Sequence, residues 1–116
     1  MRIDCEAFDD VAVIRISGDL SCVSFDLLRR DASSLLARSP HDVVINLANV
    51  TRIDAVGIGT LAYVHRMAAI AGAAVTLTNL TPRVRLLLDV AGLSTCINIS
   101  ASECEALEGL ELYAWK

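Results

Sequence analysis

Apolar and polar residues alternate strictly over "RIDCEAF", residues 2–8, with Ile3, Cys5 and Ala7 on one side and Arg2, Asp4 and Glu6 on the other. A period of two predicts a half-buried strand. Asp9 and Asp10 supply a turn, so "VAVIRIS" predicts a second strand forming a hairpin with the first, more apolar and more central. "SGDLS" then breaks the strand pattern. From Ser24 the apolar positions move to helical spacing (Leu28, Ala32, Leu35, Leu36) until Ser39 and Pro40 stop them, which predicts a helix near 24–38. "DVVINL" is a β-branched run with no polar alternation, as expected of a strand covered on both faces. A helix near 55–71 closed by Gly72 follows, and after it another apolar strand, "AVTLT". Thr81 as cap and Pro82 at the first helical position start a short helix that ends at Gly92. "CINIS" reads as a last short strand. Ser102, with Glu105 three residues later, fits a capping box ahead of an amphipathic tail helix. Glu103, Glu108 and Glu111 of that helix would face water, while Ala106, Leu107, Leu110 and Tyr113 or Ala114 dock.

Strand and helix alternate from Val11 onward, which implies right-handed crossovers and a mostly parallel sheet, with the first strand added antiparallel at an edge. The fold class is α/β. No repeat, linker or low-complexity segment interrupts the 116 residues, so they read as a single domain, 1–116. Function in such sheets tends to sit at the carboxyl ends of the strands, where loops lead into helix N-termini.

Composition narrows the possibilities. Apolar residues make up 54% of the chain but aromatic ones only 4%, so the core is built from Val, Ile, Leu and Ala. A formal charge of −4 repels nucleic acid and anionic lipid. The start, "MRIDCEAFDD", lacks the basic and apolar pattern of a secretory signal. The longest nearly apolar run, Met67 to Val75, is far short of the roughly 20 residues a membrane span needs. A soluble, cytoplasmic protein without direct membrane insertion is expected. Cys5, Cys22, Cys96 and Cys104 form no CxxC pair and have no histidine at ligand spacing, so no metal site is expected. They read as reduced, partly buried thiols, with redox control by an engaged pair the alternative.

The stretch "TRIDAVGIGTLAY", residues 51–63, carries the candidate site. Asp54 is placed to cap the following helix, accepting from its free amides and complementing its dipole. Ala55 takes the first helical position. Gly57 and Gly59 each give up roughly 1 kcal/mol of helix propensity relative to alanine. Glycine there lets something approach closely, either another part of the same domain or a partner. Between Ala55 and Ala71 only Arg66 carries a full charge. Ile58, Leu61, Ala62, Ala68 and Ala69 can face the sheet, leaving Tyr63, Val64 and Met67 to meet a neighbouring helix or another molecule. His65 falls on the sheet-facing stripe and is given no role.

From about Ile3 to Leu110 the chain resembles a STAS domain, the module shared by anti-sigma factor antagonists and the cytoplasmic parts of sulfate transporters. The resemblance rests on "SGDLS", "VVINLANVTRIDAVGIGTL" and "AGAAVTLTNLTPRVRLLLDVAGL" in the matching element order. It implies a STAS-like mixed sheet of four to five strands with about four helices. In family members that act as phosphorylation switches, the strand-end loop leads into Asp-Ser-Ser-Gly or a close variant. The first serine accepts phosphate from an anti-sigma factor that is also a serine kinase, and the phosphorylated antagonist lets that partner go. Asp54 matches the aspartate and Gly57 the glycine, but Ala55 and Val56 stand at the serine positions, so the phosphoacceptor is missing.

The resemblance therefore implies a regulatory protein-binding module, anti-sigma factor antagonist-like, that meets an anti-sigma factor/kinase through residues 51–60. The candidate partner-binding residues are Ser21, Thr51, Asp54, Ala55, Val56, Gly57, Ile58 and Thr60. Thr51, Thr60 and Ser21 are also the nearby hydroxyls that a substitute phosphorylation could use. Homo-oligomerisation stays open. Two other readings are an accessory STAS subunit of a lipid-transport ABC complex and a scaffold in an assembly of several STAS proteins. No enzyme is expected: "GIG" lacks the third glycine of a dinucleotide fingerprint and the GK[ST] ending of a P-loop, and His41 and His65 belong to no recognisable triad. No cofactor is expected either.

Overall fold

The computed structural model describes the backbone of residues 1–8, 10–21 and 25–114, and the side chains of 1–7, 10–21 and 25–108. Among the described residues, five strands and four α-helices follow one another: β1 (Arg2–Phe8), β2 (Val11–Leu20), α1 (Phe25–Leu36), β3 (Asp42–Ile53), α2 (Ala55–Ile70), β4 (Ala74–Thr78), α3 (Pro82–Ala91), β5 (Asn98–Ser100) and α4 (Glu103–Ala114). A 3-10 turn, Leu93–Thr95, bridges α3 and β5. The strands form one sheet in the order β1-β2-β3-β4-β5. β1 pairs antiparallel with β2, and the remaining pairs are parallel. This is the mixed sheet anticipated, with the antiparallel strand at an edge.

Alternation along the strands divides the sheet into two faces. Ala12, Ile14 and Ile16 of β2, Val43, Ile45 and Leu47 of β3, and Val75 and Leu77 of β4 share one face. They pack with Leu28 and Ala32 of α1, Leu61, Val64 and Ala68 of α2, and Val84 and Leu88 of α3. Most of these side chains are less than 3% exposed, and each fully buried Leu or Ile contributes roughly 1.5–3 kcal/mol. The opposite face carries Val13, Arg15, Val44, Asn46 and Thr78, and α4 lies against it, touching β3, β4 and β5.

Local signals set the helix ends. Thr81 Oγ1 accepts from the Val84 amide at 3.3 Å, Pro82 opens α3, and Gly92 closes it with φ +77°, a left-handed conformation that glycine adopts without strain. At the start of α4, Ser102 Oγ accepts from the Glu105 amide at 3.1 Å, which is half of the anticipated capping box.

Four expectations are corrected. First, "SGDLS" does not end the second strand, and the third does not stop at Leu47. β2 continues to Leu20 and β3 to Ile53 because each supplies the other's backbone partners, while register shifts after Arg15 and Gly18 absorb the irregularity. Second, Val64 is 1% exposed and belongs to the core, whereas Ala69 is exposed. The buried positions of α2 are Gly57, Thr60, Leu61, Val64 and Ala68, a regular stripe that an almost uniformly apolar helix does not reveal in sequence.

Third, Glu103 does not face water. Its carboxylate accepts from Arg15 Nε at 3.0 Å and from Asn46 Nδ2 at 2.8 Å, and its amide donates to Asn79 Oδ1 at 3.0 Å. Arg15 also binds Glu6, so one guanidinium ties β1, β2 and α4 together. Glu108 is exposed and Ala106 and Leu107 half-buried as anticipated, while the side chains of Leu110, Glu111, Tyr113 and Ala114 lie outside those described. Fourth, Cys5, Cys96 and Cys104 are exposed rather than partly buried. Cys22 and the turn residue Asp9 lie outside the described residues.

Candidate functional site

The extended ends of β2 and β3 reach the same edge of the sheet and deliver Asp19, Leu20, Thr51, Arg52 and Ile53 beside the start of α2. Asp54 leaves β3 in an extended conformation (φ −116°, ψ −175°), and its Oδ1 accepts from the Gly57 amide at 2.8 Å. That bond satisfies one of the orphan donors of the helix start and is worth about 1 kcal/mol. The amide of Asp54 in turn donates to the Leu20 carbonyl at 3.4 Å, tying β2 to the first turn of α2.

Gly57 explains why the two elements come so close. A Cβ at this position would stand 2.1 Å from the Leu20 carbonyl oxygen and 2.9 Å from Ile53 Cγ1, so only glycine fits without a backbone shift. Gly59 is different: nothing lies within 4 Å of where its Cβ would be. Of the two readings open in the sequence, close approach within the domain accounts for Gly57 and leaves Gly59 unexplained.

A groove of about 630 Å³ opens at this edge, lined by Asp19, Leu20, Ser21, Thr51, Arg52, Ile53 and Asp54, with Arg83 from the start of α3 closing one side. Thr51 Oγ1 donates to Asp19 Oδ1 at 3.1 Å. The acidic groups of the groove are thus occupied, Asp54 by the α2 amide and Asp19 by Thr51. Arg52 and Arg83 are exposed and have no ion-pair partner among the described residues. At the lip, Ala55 and Val56 are exposed, Val56 by 45%.

The residues singled out in the sequence therefore separate. Ser21, Thr51 and Asp54 line the groove, Ala55 and Val56 project beside it, and Ile58 is half-buried. Gly57 and Thr60 are buried: Thr60 is 0% exposed and its hydroxyl donates to the Val56 carbonyl at 2.8 Å. These two shape the tip from beneath and present no surface to a partner. Gly57→Arg would have to displace the Leu20 backbone, so it cannot change the tip without disturbing the fold. Sequence reasoning missed Asp19, Arg52 and Arg83. The available signal was positional, since every helix start at the carboxyl edge of a parallel sheet converges on one region, and Arg83 follows the Thr81-Pro82 cap there.

Behind the tip, α2 shows further apolar surface. Tyr63 is 42% exposed and stacks at a tilt on Phe25 of α1, ring centroids 5.7 Å apart. Ile70 is 82% exposed, as are Leu86 (62%) and Val90 (79%) on α3. Among the described residues no helix is long and apolar enough to cross a membrane.

Comparison with known proteins adds three relatives. The STAS domain model matches residues 2–106. An anti-sigma F factor antagonist of Paenibacillus polymyxa is 26% identical over 113 residues, covering 97% of each chain. An anti-sigma-B factor antagonist of Bacillus subtilis is 29% identical over 101 residues, 87% of this chain and 92% of the relative. The crystal structure of an anti-sigma factor antagonist from Mycobacterium paratuberculosis superposes with a TM-score of 0.84 at 23% identity, covering 95% of this chain and 93% of that one.

Proposed function

Because the chain belongs to the STAS domain family, we propose that it is a non-catalytic regulatory module of the cytoplasm that binds an anti-sigma factor of the serine-kinase type. The contact runs through the groove and the tip at Ser21, Thr51, Asp54, Ala55 and Val56, with Ile58 at its margin. One observation carries the reading: the start of α2 is an accessible tip whose exposed Ala55 and Val56 are apolar, capped by Asp54 and set beside an open groove. Residues that serve only the fold are covered, as Gly57 and Thr60 are.

Ala55 sets the regulation. A phosphate on the first residue of α2 would bring about −1.5 to −2 charge to the tip, enough to expel an apolar or acidic partner surface. Alanine offers no oxygen to carry it. The complex is therefore not dissolved by kinase action on residue 55, and release depends on partner abundance, a different modified hydroxyl or a ligand.

Copurification from the native cell with a tagged chain, wild type against Ala55→Glu, tests this. Glutamate at the first helical position suits the helix dipole and leaves the fold intact, but it puts a permanent negative charge where the phosphate would sit. A kinase-like anti-sigma factor in the wild-type sample, depleted about tenfold or more with Ala55→Glu, is the expected result. Recovery of a transporter ATPase or of other STAS proteins in its place would refute the anti-sigma reading.

A further inference from the structure

We propose that the outer stripe of α2 seats an acidic amphipathic helix from a protein partner. This rests on the partner-binding reading above and adds the chemistry of what binds. Val56, Tyr63 and Ile70 stand at intervals of seven and are 45%, 42% and 82% exposed. Seven residues bring an α-helix back to within about 20° of the same direction, so these side chains form one line about 21 Å long. The line lies away from the buried stripe of Leu61, Val64 and Ala68. Between Val56 and Tyr63, Gly59 leaves open space. Apolar knobs at heptad spacing, separated by a hole, are what a second helix packs against.

Charge selects the occupant. The chain carries a net −4, and Arg2, Arg15, Arg29, Arg30 and Arg85 are all paired with carboxylates. Arg52, Arg66 and Arg83 are exposed without an ion-pair partner among the described residues, as is Arg38 beyond α1. Arg52 and Arg83 line the groove at the amino-terminal end of the stripe together with Asp19 and Asp54, whose carboxylates are engaged by the Thr51 hydroxyl and the Gly57 amide. Arg66 is the sole formally charged residue of α2 and lies about 60° around the helix from Tyr63. The arginines around this apolar line are thus exposed cations without an ion-pair partner among the described residues, Arg66 standing part-way along it. A partner helix with glutamates or aspartates beside its apolar face completes those pairs. A basic helix is repelled, and a second copy of this chain would bring the same three arginines to the rim.

Two designed helical peptides with the same leucine heptads, one flanked by glutamates and the other by lysines, are titrated into the full chain and followed by fluorescence anisotropy. The acidic peptide is expected to bind at least about tenfold more tightly. Arg66→Glu should abolish that preference and Ile70→Asp should weaken the acidic peptide's binding, with the melting temperature unchanged in both variants. Equal affinities or binding of neither peptide would overturn the proposal. So would concentration-dependent dimerisation of the protein that Ile70→Asp removes, which would make a second copy the occupant. Ala55→Glu in the copurification above reports on the tip alone, so the helix proposal can fall while that reading stands.

Discussion

Two glycines two residues apart respond in opposite directions to the same substitution. In Gly57→Ala the new methyl meets the Leu20 carbonyl oxygen at 2.1 Å, its carbon at 2.9 Å and Ile53 Cγ1 at 2.9 Å. Backbone cannot swing aside as a flexible side chain does, so β2 and α2 must separate. Overpacking of this kind costs about 1–3 kcal/mol. Displacing the helix start also strains the Asp54–Gly57 cap, worth about 1 kcal/mol. Alanine's better helix propensity returns about 1 kcal/mol. The net is a destabilisation of about 1–3 kcal/mol, or roughly 4–12 °C in melting temperature for a domain of this size. Gly59→Ala meets nothing within 4 Å, so only the propensity gain of up to about 1 kcal/mol remains, in the stabilising direction. Urea unfolding of the wild type and both variants, followed by far-UV circular dichroism, measures the pair. Gly57→Ala as stable as the wild type, or the two variants shifting with the same sign, would refute the packing account of Gly57.

Asp54→Ala removes the α2 cap and should lower stability by about 1 kcal/mol, seen as a lower urea midpoint at unchanged slope. Glu103 has its pKa held below the usual carboxylate range by the hydrogen bond from Arg15, aided by the one from Asn46. A depressed folded-state pKa means that the stabilisation is fully present above the ordinary glutamate value and is lost as pH falls through the lower, folded one. Glu103→Gln should therefore destabilise the protein at neutral pH by about 1–3 kcal/mol and flatten the loss of stability below about pH 4.5. Urea midpoints from pH 3 to 7 check both effects, and parallel acid limbs in wild type and variant would count against the assignment.

Local chemistry was legible in the sequence wherever one short segment contained both halves of an interaction. Asp54 and Gly57, and likewise Thr81 and Val84, lie three residues apart, and their caps form as read. The antiparallel edge hairpin and the parallel order followed from strand period and the alternation of elements. The candidate tip was placed by the same logic, since helix starts at the carboxyl edge of a parallel sheet must converge.

Tertiary structure decided what depended on distant partners. Glu103 turns inward because Arg15 and Asn46, 88 and 57 residues earlier, wait on the sheet face it crosses. β2 and β3 run past their apolar segments because each gives the other a ladder of backbone partners that neither pattern announces. The rotation of α2, which buries Val64 and exposes Ala69, cannot be read from a helix apolar on nearly every side. The sequence alone determined that α2 starts behind an Asp54 cap with no hydroxyl to modify at Ala55. Only the folded chain, by bringing the Leu20 carbonyl onto Gly57 while leaving Gly59 open, determined which glycine holds the domain together.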